Sequence, residues 1–259
     1  MALSCLDELT PTLFFSMSGY MVENAIINMV DIKKSFAGVQ ALNGVSFPVP
    51  EKSIFGLIGP NGAGKTTLIN VINGVYKPDA GEIRFGGTRL NDLPIYDIAQ
   101  LGISRTFQIA RVFRRMSVLE NMVAPTVFLK ESSARLKTRI FELLDFVGLT
   151  GKKDQYALEL SGGQQKLLEF ARSLVTDPKL VLMDEPFAGV HPEIKAQLID
   201  NIKELNGRGK TFIIVSHDMR SISDLCTQAV VLNFGEKLSE GPTQSVLTDE
   251  KVIEAYLGE

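Results

Sequence analysis

The chain has 259 residues, of which 45% are hydrophobic and 22% charged, proportions that exclude disordered and fibrous classes. Its formal net charge of −3 excludes bulk attraction to nucleic acid. The two cysteines, Cys5 and Cys226, are too few for a disulfide framework or a cysteine zinc site, which suits a reducing compartment.

No stretch approaches the roughly 20 apolar residues that span a bilayer. Residues 1–23 are expected to lie outside the fold. Asp7 and Glu8 sit where a signal peptide carries positive charge, Pro11 and Gly19 interrupt the apolar runs, and Met21 is an alternative start. Residues 26–36 and 41–49 read as strands with a turn near Gly38. The short apolar run 54–58 stops at Gly59, as a buried strand of a parallel sheet does. A helix is expected from Lys65 to about residue 73, ended by Gly74, and then a hairpin of 82–85 and 88–90 across Gly86 and Gly87.

From 95 to 175 the apolar positions fall three and four apart, as at Ile140, Leu143, Leu144 and Val147, which predicts helices. Beyond it strands at 180–183 and 212–215 alternate with helices at 193–205 and 219–226. A last hairpin, 230–233 with 237–240, turns at Gly235. Strands alternating with helices predict an α/β fold with a parallel sheet. The expected division is a β subdomain with the first loop–helix unit over 24–95, a mainly helical insertion over 96–175, and the second half of the core with a C-terminal hairpin and helix over 176–259.

Gly59, Pro60, Asn61, Gly62, Ala63, Gly64, Lys65 and Thr66 spell the P-loop pattern G-x-x-x-x-G-K-[ST], followed by Thr67. A phosphate needs backbone N–H groups that converge, and glycine permits the φ and ψ this demands. The next helix adds the partial positive charge of its N-terminus. Lys65 is expected on the β- and γ-phosphates and the Thr66 hydroxyl on Mg²⁺. The apolar strand 180–183 ends in Asp184 and Glu185. A strand-end carboxylate beside a P-loop suits Mg²⁺, which falls to Asp184, and Glu185 is then available as general base on the attacking water. Ser161, Gly162, Gly163 and Gln164 precede a helix, and Ser161 with Gln164 has the spacing of a capping box.

With the P-loop, the Asp184–Glu185 pair and Leu160-Ser-Gly-Gly-Gln164 in this order, the chain resembles the ATP-binding subunits of ABC transporters over about residues 24–259. The resemblance implies a P-loop NTPase fold of the ABC ATPase type: a RecA-like parallel sheet core, an antiparallel β subdomain and an inserted α-helical subdomain. It also implies roles for residues that pattern alone leaves open. Phe36 resembles the aromatic that stacks on adenine. Gln108, in Arg105-Thr-Phe-Gln108, resembles the glutamine that touches Mg²⁺ and the water. His217, in Val215-Ser-His-Asp218, resembles the switch histidine at the γ-phosphate. The implied cofactors are ATP and Mg²⁺, and the implied activity is ATP hydrolysis coupled to transport. Two such subunits, identical or paralogous, would sandwich two ATP molecules, each held by one chain's P-loop and by Ser161 to Gln164 of the other. Permease chains and, through them, a substrate-binding protein are the further partners, with this chain peripheral on the cytoplasmic face of the inner membrane.

Local strings resemble the first ATPase subunit of branched-chain amino acid importers, a group whose relatives serve amides and urea: Gly56 to Thr67, Arg105 to Gln108, Met116-Ser-Val-Leu-Glu-Asn121 and the tail Val252 to Glu259. Two alternatives stand beside it. Asp184-Glu-Pro-Phe-Ala-Gly-Val190 and the tail also resemble the ATPase of lipopolysaccharide export. Soluble ABC ATPases of DNA repair or translation are the other, although tandem domains, coiled-coil insertions and metal-binding cysteines are lacking. His191 stands where the importer group has Asn, which predicts that dimerisation or turnover changes between roughly pH 5.5 and 7.5. An unaltered pH profile in His191→Asn would overturn this. Residues 105–153 carry ten Lys and Arg against four acids, which reads equally as a basic face that meets acidic coupling loops or anionic headgroups and as a solvated helical surface.

Overall fold

A computed structural model of the protein describes residues 24–257, so the expectation for residues 1–23 lies outside the described residues. The strands are β1 (Ala25–Phe36), β2 (Val39–Pro50), β3 (Ile54–Ile58), β4 (Ala80–Phe85), β5 (Thr88–Arg89), β6 (Ile103–Thr106), β7 (Leu180–Asp184), β8 (Thr211–Val215), β9 (Gln228–Asn233) and β10 (Glu236–Pro242). The helices are α1 (Lys65–Ile72), α2 (Ile95–Gln100), α3 (Val118–Val123), α4 (Ser133–Phe146), α5 (Gly162–Leu174), α6 (Pro192–Gly207), α7 (Met219–Leu225), α8 (Thr243–Leu247) and α9 (Glu250–Leu257).

Two sheets form. The first is antiparallel, in the order β2-β1-β4-β5. The second runs β10-β9-β3-β8-β7-β6, parallel throughout except for β10. Strands β3, β7 and β8 are buried at every residue, because both faces of the second sheet are covered. Their side chains alternate between two cores. Ile54, Ile58, Val181, Met183, Phe212 and Ile214 face the helices. Phe55, Leu57, Leu180, Leu182, Ile213 and Val215 face the antiparallel sheet and α1. The two sheets are also tied directly, since the Asn43 amide donates to Gly235 O at 2.7 Å and Asn43 Nδ2 to Glu236 Oε1 at 2.6 Å.

The helical reading of 95–175 is corrected at β6. This strand pairs in parallel with β7, from Ile103 opposite Leu180 to Thr106 opposite Met183, and forms the edge of the central sheet. It escapes periodicity because only Ile103 and Thr106 are buried, too short a pattern to distinguish from the helical surroundings. Its position has a consequence for the site. The adjacent parallel strands β3, β8, β7 and β6 end along one edge of the sheet, where open α/β sheets place their ligands.

Candidate nucleotide site

The loop between β3 and α1 has left-handed glycines, with φ of 148° at Gly59, 78° at Gly62 and 100° at Gly64. Gly64 is the N-cap of α1 and supplies no capping side chain, so the helix presents its N-terminus to the loop. A Cβ at Gly59 would lie 2.1 Å from the backbone oxygen of Leu232, and one at Gly64 2.5 Å from that of Ala41. At Gly62 it would meet nothing within 4 Å. Gly62→Ala is therefore expected to cost only the conformational term, about 1–2 kcal/mol. Gly59→Ala must displace β9 and is expected to cost more and to abolish ATP binding, which urea midpoints and nucleotide titration of the two variants will rank. Lys65 is buried, and its ammonium donates to the carbonyls of Gly59 at 2.6 Å and Pro60 at 2.8 Å.

A cleft of about 660 Å³ opens at this edge, lined by Gly59 to Thr67, Gln108, Asp184, Glu185, His217 and Tyr256. The structure thus brings together every residue expected on this chain's own nucleotide except Phe36. Each strand end contributes: β3 the loop, β6 Gln108 two residues on, β7 Asp184 and Glu185, and β8 His217 two residues on. Phe36 is half-exposed and outside the cleft lining, its ring edge-on to Tyr76 at 4.9 Å between centroids. Ser161, Gly162, Gly163 and Gln164 also lie outside this cleft. They cap α5 through the expected box, Gln164 N donating to Ser161 Oγ at 3.3 Å and Ser161 N to Gln164 Oε1 at 3.1 Å.

Glu185 has a φ of 48°, an uncommon backbone state for a residue with a side chain. Its amide donates to Val215 O at 2.9 Å. Its carboxylate accepts from the His217 amide at 3.1 Å and from Ser216 Oγ at 3.4 Å, and lies 2.9 Å from His217 Nδ1. Glu185 and His217, the residues expected as base and switch, are therefore already in contact across β7 and β8. His191 is the N-cap of α6 but makes no side-chain hydrogen bond to the helix amides. It is 71% exposed, with Nδ1 3.9 Å from Glu193 Oε2.

Asp184 shares its Oδ2 with Arg105 at 3.1 Å, both side chains being more than nine-tenths buried. Burial lowers the Arg105 pKa while the Asp184 carboxylate opposes the shift. Among the described residues no group of three or more His, Cys, Asp or Glu could hold a metal. The donors at the cleft, Thr66, Gln108 and Asp184, are few, hard oxygens, which fits Mg²⁺ shared with a substrate phosphate rather than a caged ion.

Sequence reasoning missed the supports of this site. Arg105 appeared within a string and in the basic count of 105–153, from whose surface its burial against Asp184 removes it, and Lys166, Glu169, Lys195 and Asp218 carried no assigned role. Asp218 caps α7, accepting from Ser221 N at 3.2 Å and Ser221 Oγ at 2.8 Å, and pairs with Lys195 of α6. The Lys195 hydrogen bond is the main cause that lowers its pKa from 3.8 to about 2. A depressed folded-state pKa stabilises above the unfolded value and loses that contribution as pH falls through the folded one. Asp218→Asn is thus expected to flatten the stability profile between pH 3.8 and about 2, as acid unfolding followed by circular dichroism will read.

The comparisons with known proteins converge on this geometry. Residues 42–188 match the ABC transporter family model, and residues 236–259 match the branched-chain amino acid ATP-binding cassette transporter model. The chain is 39% identical over 245 residues to the probable branched-chain amino acid transport ATP-binding protein LivG of Archaeoglobus fulgidus, covering 90% of this chain and 95% of the relative. It is 34% identical over 236 residues to the lipopolysaccharide export system ATP-binding protein LptB of Haemophilus influenzae, covering 91% and 98%. A nucleotide-free ATP-binding cassette from an ABC transporter superposes with a TM-score of 0.83 at 35% identity, over 91% of this chain and 100% of that one. A dimeric ATP-binding cassette bound to ADP and Pi superposes at 0.76 with 26% identity, over 84% and 98%. The chain belongs to the ABC transporter family, as one of its ATP-binding subunits that hydrolyse ATP to power transport.

Proposed function

We propose that this subunit drives an importer for branched-chain amino acids or a related amino acid, amide or urea. The observation that carries the reading is the C-terminal match over residues 236–259. That segment is not remote from the chemistry, because Tyr256 of α9 lines the nucleotide cleft.

In this reading the Lys65 ammonium exchanges the Gly59 and Pro60 carbonyls for the β- and γ-phosphates, while the loop amides and the α1 N-terminus cradle them. Thr66, Asp184 and Gln108 hold Mg²⁺, which supplies charge neutralisation at the phosphate oxygens. Glu185 takes the proton of the attacking water, and His217 steadies the carboxylate and faces the γ-phosphate. Phe36 stacks on adenine. Ser161, Gly162, Gly163 and Gln164 serve the nucleotide of a second ATPase copy or paralogue, so the active unit is a dimer. The division into 24–95, 96–175 and 176–259 remains part of this reading, with β3 of the first part and β6 of the middle part both paired into the sheet of the last.

Permease docking is assigned to the stretch after β6. Ile109, Phe113, Val127 and Phe128 are exposed apolar side chains, interspersed with Arg111, Arg114 and Arg115. This composition suits an acidic, amphipathic cytoplasmic loop, and charge reversal at Arg114 and Arg115 is the variant that probes it. Among the described residues no helix is long and apolar enough to cross a membrane; the placement on the cytoplasmic face follows from the proposed role as the ATPase of an importer.

The test is a gentle-detergent pull-down from native membranes, with Glu185→Gln and ATP to hold the closed complex. Two permease chains with a periplasmic-type binding protein support the importer. Lipopolysaccharide-bridge components in their place would overturn it in favour of export. A catch with no membrane chain would overturn both.

A further inference from the structure

Helix α5 bears two charged side chains on a stretch that is otherwise apolar and buried at Leu167, Leu168, Phe170 and Ala171. Each of them grips the backbone of a different strand end. The Lys166 ammonium donates to Glu185 O at 3.0 Å and to Pro186 O at 3.2 Å. One turn on, the Glu169 carboxylate is 3% exposed and accepts from the amides of Arg111 at 2.8 Å and Phe107 at 3.4 Å, which bracket Gln108. A single turn of helix therefore holds both segments that face the attacking water. Neither Lys166 nor Glu169 lines the nucleotide cleft.

The grip on Glu185 falls where the backbone needs it. A residue with a Cβ at a φ of 48° persists only if its surroundings over-determine it. On one side the Glu185 amide is anchored to Val215 O. On the other, the Glu185 carbonyl accepts from the Ala188 amide at 3.3 Å as well as from Lys166, and Lys166 alone joins that carbonyl to the Pro186 carbonyl, so without it the bend keeps only the weaker local turn bond. A change in that peptide swings the side chain that it carries.

We propose that Lys166 is a positioning residue for hydrolysis: it holds the Glu185–Pro186 peptide in its left-handed bend and so ties the setting of α5 to the placement of this chain's own base. Because α5 begins at Ser161, the helix whose N-terminus receives the partner's nucleotide also sets the base for the nucleotide bound here. This gives the two sites of a dimer a mechanical route of communication through one side chain. The inference rests on the reading of Glu185 as general base.

Steady-state hydrolysis by the full chain tests it. Lys166→Met is expected to lower kcat roughly 10- to 100-fold, the effect of losing a charge-assisted hydrogen bond in the transition state, with KM for ATP and nucleotide affinity unchanged. Lys166→Arg, which keeps a donor, restores kcat. Single-turnover assays with labelled ATP should find no further loss when Lys166→Met is added to Glu185→Gln, since Lys166 acts through that carboxylate. Lys166→Gln serves as a second uncharged variant should Met at this position fail to fold. A rise in KM at constant kcat, a lowered urea midpoint that accounts for the loss, or additive losses in the double variant would overturn the proposal. Full activity in Glu185→Gln alone would overturn the base assignment. Collapse in Glu185→Gln with wild-type kcat in Lys166→Met would overturn this inference and leave the base standing.

Discussion

Glu185→Gln is expected to lower ATP turnover roughly 10²- to 10⁴-fold, the range for removing a positioned general base, or about 3–5 kcal/mol of barrier. The substitution is nearly isosteric. One oxygen remains to accept from the His217 amide, now at 3.1 Å, and the buried carboxylate is replaced by a neutral group, so folding is expected to survive. Nucleotide affinity should be preserved, because the proposed phosphate contacts are those of the loop and Lys65 rather than of Glu185. Rapid-quench hydrolysis and nucleotide titration on the same preparation separate the two effects. Turnover within tenfold of the wild type would transfer the proton to another group, of which His217, 2.9 Å away, is the next to replace. Loss of affinity alongside turnover would instead mark Glu185 as a structural support of the cleft.

The contrast between what the residues disclosed in order and what they concealed has a physical cause. The P-loop was legible because converging amides demand glycine at set positions, and Gly59 and Gly64 do sit where a Cβ would strike backbone. The strands β3, β7 and β8 were legible because burial on both faces leaves a continuous apolar run that ends at the chemistry. Strand β6 was not, since an edge strand of four residues carries almost no pattern. The supports were hidden for a different reason. Lys166 reaches carbonyls 19 and 20 residues away, Glu169 reaches amides 58 and 62 residues away, and Arg105 finds Asp184 at a separation of 79. Partners that are backbone groups leave no complementary residue to read. A long-range ion pair becomes visible only when the register of β6 on β7 is known.

Arg105→Met is expected to be the most destabilising single substitution in the site, and the reason lies in that register. Arg105 and Asp184 are 6% and 8% exposed at their side chains. Breaking one partner of such a buried pair leaves an uncompensated charge and costs about 3–5 kcal/mol. Beyond its ladder to β7, the strand that carries Arg105 has few side-chain hydrogen bonds to hold it. Ser104 Oγ, Arg105 Nε and Thr106 Oγ1 are buried with no hydrogen-bond partner among the described residues. The guanidinium also bonds Asn70 Oδ1 of α1 and stacks on Phe107 at 4.7 Å, so one side chain ties the edge strand to α1, to β7 and to the segment leading to Gln108. Met fills much of the volume and keeps the apolar contact, which isolates the charge. Thermal unfolding should fall on the order of 10 °C, at roughly 2–4 °C per kcal/mol for a chain of this size. Adding Asp184→Asn removes the stranded carboxylate, so the double variant is expected to recover part of the loss, a non-additivity that a double-mutant cycle measures. Simple additivity of the two losses would mean that the ion pair contributes no coupling and that Arg105 acts through packing alone.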